Sequence, residues 1–163
     1  MHPETPEEGI SLEAFFAGRD MDIEQAKKRL KQVADELDLP WGDRKMTYNS
    51  RLAQELGKWA EAHGKGDAFH AAVFRAYFVD CLNIGKIDEL VKLAKSLGLP
   101  EQEARSVLEQ RTHKEAVDND WARSREMRVM VVPTFMVGDQ AVEGAQSYEI
   151  LEKLLLACGA KKR

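Results

Sequence analysis

Cysteine is scarce in this sequence, and its scarcity excludes two common redox arrangements. The 163 residues contain two cysteines, Cys81 and Cys158, which stand far apart in the chain. Two thiols without close spacing form neither a disulfide framework nor a Cys-x-x-Cys pair. Each cysteine has apolar neighbours at helical spacing, which favours a buried thiol packed as a small hydrophobic side chain over a redox role. Reduced cysteines are typical of the cytoplasm, which is the location that we expect.

Long apolar runs and an excess of positive charge are also missing. No apolar stretch approaches the length of a membrane span, and the first ten residues are acidic and polar, unlike a secretory signal peptide. The formal net charge of −4 disfavours nucleic acid as a partner, because phosphate binding requires a basic face. The basic residues Lys161-Lys162-Arg163 follow the last predicted helix and are interpreted as a solvated tail. We therefore expect no membrane and no nucleic-acid partner.

What the sequence does contain is a long series of helical patterns. At 163 residues the chain fits one domain with a substantial core. Apolar residues recur at intervals of three and four between cap, Gly and Pro signals. They predict helices that begin at Ser11, at Asp22 (with Ile23, Ala26, Leu30, Val33 and Leu37 on one stripe), at Asn49 and at Asp67, then over Asp88–Leu97, Glu101–Gln110 and about His113 to Met127.

One helical face raises the question of a metal site. His70, Phe74, Tyr77 and Cys81 follow one another at spacings of four, three and four, so they share a face of the helix that begins at Asp67. No further ligands with metal-site spacing accompany them, so core packing is the better interpretation. The charged residues of 101–111 and 114–128 are interpreted as solvated helix faces. No metal, cofactor or catalytic residue is predicted.

The pattern changes near the C-terminus. Residues Val129–Val137 have the composition of a strand, Gly138-Asp139 is a turn, and Gln140–Glu143 is expected to pair back as a hairpin. A last helix follows Ser147, with Tyr148, Leu151, Leu154 and Leu155 predicted to face inward. Phe135, Met136 and Val137 would place apolar side chains on both faces of the strand, which is typical of a strand inside a covered sheet. A second neighbour for this strand, or a cover for its edge, is therefore expected.

Several motifs together resemble one known family, the DsbA-like thioredoxin-fold proteins, and within it the FrnE-type dithiol-disulfide isomerases. They are the opening His2–Gly9 segment, Asn49-Ser50-Arg51-Leu52-Ala53, Gly64-Lys65-Gly66-Asp67-Ala68-Phe69-His70, Phe74-Arg75-Ala76-Tyr77-Phe78, Val132-Pro133-Thr134-Phe135 and Glu143-Gly144-Ala145-Gln146. The resemblance implies an α+β fold in a single domain, 1–163. Residues 11–127 would be a helical insertion, and residues 129–158 would be the hairpin and final helix of the thioredoxin-like part.

The resemblance also implies a binding site. Pro133 would be the cis proline of the family, and Val132, Pro133 and Thr134 would contact an extended substrate segment through the backbone of Val132. The substrate would be a protein or a small thiol. Members of the family commonly carry glycines ahead of the Val-Pro pair, where this chain has Arg128 and Val131. Glycine permits a left-handed backbone there, so this departure bears on the geometry of the loop.

A second departure concerns chemistry. Nothing in the chain matches the Cys-x-x-Cys helix of the family, so the attacking thiolate of disulfide exchange is missing. The first hypothesis is therefore a truncated oxidoreductase or isomerase that is redox-silent as it stands. The alternative is a non-catalytic module that binds a peptide or forms a homodimer through an open strand edge. A third hypothesis, suggested by more distant relatives of the family, is a glutathione-dependent isomerase or transferase.

Overall fold

The computed structural model describes residues 4–18 and 22–162. The chain divides into two compact units, the first ending at Val117 and the second beginning at Asp118. The described residues are mostly helical and contain two small antiparallel sheets, which confirms the predicted α+β class. His2 and Pro3 of the opening motif, and Arg163 of the basic tail, lie outside the described residues.

The first unit is helical apart from one short strand pair. Strand β1 (Ile10–Ser11) pairs antiparallel with β2 (Met46–Thr47). The helices are α1 (Leu12–Phe16), α2 (Ile23–Glu36), α3 (Arg51–Ala62), α4 (Gly66–Phe78), α5 (Ile87–Ser96) and α6 (Glu101–Gln110), and α7 (Lys114–Glu126) runs across the boundary between the units. The caps predicted at Ser11 and Asp22 are confirmed, since their side chains accept hydrogen bonds from the backbone of the first turns that follow them. Ser147 precedes the last helix as predicted but makes no side-chain cap hydrogen bond among the described residues.

The core of the first unit lies between α3, α4, α5 and α6. Its largest fully buried apolar side chains are Leu56, Phe69, Leu90 and Leu108. Trp59 is also buried, and its indole Nε1 donates a hydrogen bond of 2.8 Å to Glu103. Burial of each large side chain contributes about 1.5–3 kcal/mol. These four helices therefore form the stable centre of the unit.

The face of α4 that enters this core differs from the predicted one. The helix buries Phe69 and Ala76, whereas Phe74 is 61% exposed and His70 is exposed as well. Cys81 lies beyond the end of the helix, in a left-handed conformation with φ of 56°. The prediction that His70, Phe74, Tyr77 and Cys81 pack together as a core face is therefore wrong. Tyr77 alone of the four is partly buried against the core cluster.

A buried ion cluster connects three helices of the first unit. Glu55 of α3 is fully buried. Its carboxylate accepts one hydrogen bond from Arg51 at 2.6 Å and a bidentate pair from Arg111, each at 2.7 Å. Arg51 also donates to the backbone carbonyl of Lys114 at 2.7 Å. Arg111 is exposed, as expected for residues 101–111, but it pairs with Glu55 of α3, outside its own helix, which the sequence did not predict. The cluster fixes the end of α6 and the start of α7 against α3.

The second unit consists of the rest of α7, a hairpin and the last helix. Strands β3 (Thr134–Val137) and β4 (Gln140–Glu143) pair antiparallel around Gly138-Asp139, which confirms the hairpin. Strand β3 begins five residues later than predicted, because residues 129–133 form a loop. In helix α8 (Tyr148–Ala157) only Leu154 is buried, and Tyr148 and Leu155 are exposed, contrary to the predicted inward face.

Arg128 ends α7 in the left-handed conformation that glycine would favour. Its φ is 55°, and the amide of Val129 returns to the carbonyl of Ser124 at 3.0 Å, as in a Schellman cap. The arginine therefore adopts the backbone that the missing glycine was expected to supply. The left-handed region costs a residue with a Cβ about 1–2 kcal/mol.

Replacing Arg128 with glycine is expected to raise the free energy of unfolding of the second unit by about 1 kcal/mol, because the Cβ clash disappears. The exposed Arg128 side chain has no hydrogen bond or ion pair with another described residue, so little is lost with it. Urea unfolding followed by the fluorescence of Trp121 measures the change. Arg128→Ala is the control, since it removes the same side chain but keeps the Cβ, and an equal gain in both variants would contradict the explanation.

Within the ranges that the structure covers, no helix is long and apolar enough to cross a membrane. The same residues contain no group of three or more His, Cys, Asp or Glu side chains placed to hold a metal ion.

Candidate substrate-binding loop

The three site residues predicted from the resemblance lie together at the start of β3. The peptide bond between Val132 and Pro133 is cis. The side chain of Val132 is 87% exposed, and Met130 and Val131 beside it are also exposed. The chain thus presents a short apolar segment to solvent between the end of α7 and the hairpin.

Two hydrogen bonds hold the ends of this loop. The hydroxyl of Thr134 donates to the carbonyl of Val131 at 2.6 Å, and the amide of Gly144 donates to the carbonyl of Pro133 at 2.7 Å. Gly144 has a φ of 81°, which lets the chain turn away directly after β4. Gly144 belongs to the Glu143-Gly144-Ala145-Gln146 motif, but nothing in the sequence indicated that it fixes the loop.

Between these two anchors the backbone of Val132 stays unpaired. Among the described residues, neither its amide nor its carbonyl takes part in a hydrogen bond. Exposed backbone groups of this kind can pair with an extended peptide, because a strand laid alongside supplies the matching carbonyl and amide.

The edge of β3 extends this unpaired backbone. Strand β3 pairs with β4 through Thr134–Glu143, Phe135–Val142, Met136–Ala141 and Val137–Gln140, and no other strand of residues 4–18 and 22–162 joins it. The predicted second neighbour is therefore not found among these residues. Phe135 is partly exposed, and an apolar edge of this kind is a template for pairing.

The loop offers binding groups but no reactive ones. Residues 130–135 contain no acid, base or thiol, so the site can hold a peptide and cannot by itself activate a bond. The two cysteines belong to different units. Cys81 is partly buried and donates to the carbonyl of Val79 at 3.6 Å, whereas Cys158 is exposed at the end of α8 and donates to the carbonyl of Val137 at 3.5 Å. The prediction of a buried thiol is wrong for Cys158.

Comparison with known proteins gives this loop a family context. A family model described as the DSBA-like thioredoxin domain matches residues 3–156. The uncharacterized protein YwbO of Bacillus subtilis is 35% identical over 105 residues, which are 64% of this chain and 52% of YwbO. The chain therefore spans about half the length of this relative.

Solved structures share the fold. A crystal structure described as a probable DsbA oxidoreductase from Streptomyces coelicolor is similar with a TM-score of 0.83 and 24% identity, covering 99% of this chain and 74% of that one. A 2-hydroxychromene-2-carboxylate isomerase is similar with a TM-score of 0.69 and 22% identity, covering 84% of this chain and 66% of that one. At these identities the likeness concerns the fold alone.

Proposed function

The chain belongs to the DSBA-like thioredoxin domain family, and from this premise we propose that it holds an extended segment of a thiol–disulfide exchange substrate at the loop before Pro133. One observation carries the proposal: the exposed Val132 has an unpaired backbone that continues into the unpaired edge of β3. A substrate strand would exchange backbone hydrogen bonds with Val132, with Pro133 and Thr134 beside it. The substrate is a protein or a small thiol compound.

Binding of the substrate and the redox reaction require different groups. Disulfide exchange needs a thiolate that attacks a disulfide sulfur, and these 163 residues contain no Cys-x-x-Cys pair. We infer that this chain is redox-silent by the family mechanism. In the same proposal, residues 11–127 form the helical insertion, and residues 129–158 supply the substrate-facing part of the thioredoxin-like fold.

A blocked peptide of about six residues that alternates valine and threonine tests the binding step. We expect the amide signal of Val132 to shift on titration in a nitrogen-15 spectrum. The same peptide carrying N-methyl groups at the residues that face Val132 should have a dissociation constant up to about tenfold higher, because each lost hydrogen bond costs about 0.5–1.5 kcal/mol. Val132→Ala is the matched protein control, since it keeps the backbone and should bind nearly as well as the native chain.

Equal binding of the methylated and unmethylated peptides would contradict backbone pairing. Binding of reduced glutathione in place of the peptide, with the same shift at Val132, would instead favour the glutathione-dependent isomerase or transferase hypothesis.

The redox step is tested separately. With dithiothreitol as the reductant, this chain is expected to leave the rate of insulin reduction at the background value, because no thiolate pair is available to carry the exchange. Cys81→Ser and Cys158→Ser should behave like the native chain. Turnover above background that either variant abolishes would overturn the redox-silent assignment and leave the peptide-binding result untouched.

The unpaired edge of β3 also supports a second candidate, a homodimer in which two such edges pair. An excess of the alternating peptide should dissociate that dimer, because the peptide and the second copy would compete for the same backbone groups. If the chain binds the peptide and stays monomeric at high protein concentration, the result would favour the substrate-binding function alone.

A further inference from the structure

Helix α2 presents an apolar stripe to solvent. Ile23, Ala26, Leu30, Val33 and Leu37 follow the alternating three- and four-residue spacing of a helix–helix seam. Ala34 faces the unit and is buried, but Leu30 is 53%, Val33 44% and Leu37 63% exposed. Isolated exposed apolar residues are ordinary, whereas a contiguous stripe of them marks an interaction surface.

A groove continues this stripe. A cavity of about 360 Å³ lies between α2, the turn that contains Leu39 and Trp41, and the exposed face of α4. Phe74 and Phe78 form its far wall, and Trp41 stacks on Phe78 with ring centres 5.6 Å apart. The lining is almost entirely apolar, so the groove fits a hydrophobic side chain and offers few hydrogen bonds to a polar ligand.

Two residues of opposite charge lie along one border of the apolar stripe. Arg29 and Glu36 are seven residues apart, so both border the stripe on the same side, one on each side of Val33 along the helix axis. Glu36 accepts a hydrogen bond from the uncharged Gln32 at 2.9 Å. Within the described part of the chain, neither Arg29 nor Glu36 has an oppositely charged partner.

We propose that this face binds a second copy of the chain, with the two α2 helices antiparallel about a two-fold axis near Val33. The axis brings Leu30 of one copy to Leu37 of the other and lets these leucines cover the two grooves. It also places Arg29 of each copy opposite Glu36 of the other, twice over, because a two-fold interface uses the same patch on both subunits. The charges thus complement a second copy in the antiparallel arrangement.

This surface is independent of the loop before Pro133. It lies in the first unit, whereas the loop and β3 lie in the second. Excess alternating peptide should therefore leave the α2 dimer intact, although it would dissociate a dimer paired through β3. A result that contradicts one interface therefore does not contradict the other.

Charge reversal tests the arrangement most directly. At about 50 mM salt, where surface charges are poorly screened, Arg29→Glu and Glu36→Arg should each weaken the dimer about tenfold in sedimentation equilibrium, because two attractive pairs become repulsive. The double variant should regain the native dissociation constant. An equimolar mixture of the two single variants should also regain it, because an acidic face then meets a basic one. The antiparallel pairing itself is tested by the loss in each single variant alone, since parallel helices would already place like charges opposite each other in the native dimer.

An apolar pair of variants tests the stripe. Leu37→Asp should weaken the dimer about a hundredfold, and it should leave the monomer folded because Leu37 is mostly exposed. Leu155→Asp, which changes an exposed leucine of the second unit, should leave the dimer intact. The proposal would be overturned if the native chain stayed monomeric at high concentration, or if the groove bound a fatty acid in a monomer. It would also be overturned if Arg29→Glu and Leu37→Asp left the dissociation constant of the dimer unchanged.

Discussion

Replacing Glu55 with glutamine is expected to lower the free energy of unfolding by about 3 kcal/mol, because the change leaves the mostly buried Arg51 without its counterion, whereas Arg111 is 41% exposed and can be solvated. The carboxylate is fully buried, and it receives one bond from Arg51 and two from Arg111, all between 2.6 and 2.7 Å. Glutamine has nearly the same shape, so the loss reports the charge and not a cavity. Urea unfolding followed by the fluorescence of Trp41 and Trp59, in a Trp121→Phe background, measures it in the first unit.

The stability conferred by Glu55 should also depend on pH. Burial raises the pKa of Glu55, but the hydrogen bonds and charges of Arg111 and Arg51 outweigh it and hold the pKa below the ordinary value of 4.5. A lowered pKa in the folded state means that the stabilisation is complete above pH 4.5 and is lost as the pH falls through the folded-state pKa. The difference between the native chain and Glu55→Gln should therefore narrow in acid.

Glu61 provides the matched control on the same helix. Its carboxylate lies 3.6 Å from Lys58 and 3.5 Å from His70, but Glu61 and His70 are about half exposed and Lys58 is 30% exposed to solvent. Glu61→Gln should change the free energy of unfolding by less than about 1 kcal/mol. Similar losses in the two variants, or a loss at Glu55 that stays constant down to the lowest pH, would show that the buried cluster does not stabilise the unit as a charge network.

Sequence patterns predicted the local structure well and the long-range polar contacts poorly. The order of helices and the hairpin follow from periodicity, caps and turn residues, which act over a few positions. Glu55 and Arg111 are 56 residues apart, and the pattern of charges in α6 gives no sign that Arg111 turns back to α3. A left-handed backbone at Arg111, with φ of 55°, directs the chain there, and arginine is an unusual residue for it.

The cis peptide bond before Pro133 was predicted from the family resemblance, whereas composition misplaced the start of the strand. Apolar composition predicted a strand from Val129, because three of residues 129–132 are valines, which are favoured in strands. The strand starts at Thr134 instead, since the Schellman cap at Arg128 and the hydrogen bond from Thr134 to Val131 use the local backbone differently. Composition could not predict these local hydrogen bonds, whereas the Val-Pro-Thr-Phe motif identified Val132 and Pro133 as the residues joined by the cis bond.

Helix α4 shows why an aromatic face is a weak guide to burial. Aromatic residues line more than one side of this helix, so spacing alone leaves the buried side undecided. The neighbouring helices decide it: α3 and α5 cover the side of Phe69, Val73 and Ala76, whereas Phe74 faces the groove beside α2. The two phenylalanines, five residues apart, therefore make a direct comparison of the two faces.

Phe69→Ala is expected to lower the free energy of unfolding of the first unit by about 3–5 kcal/mol, because it removes a fully buried ring from a close-packed core and leaves a cavity. Phe74→Ala deletes the same atoms from a side chain that is 61% exposed and should cost about 0.5 kcal/mol or less. Both are measured by urea unfolding at low protein concentration, so that self-association does not contribute. If Phe74→Ala were the more costly change, the helix would present the opposite face to the core, and the groove beside α2 would not exist as described.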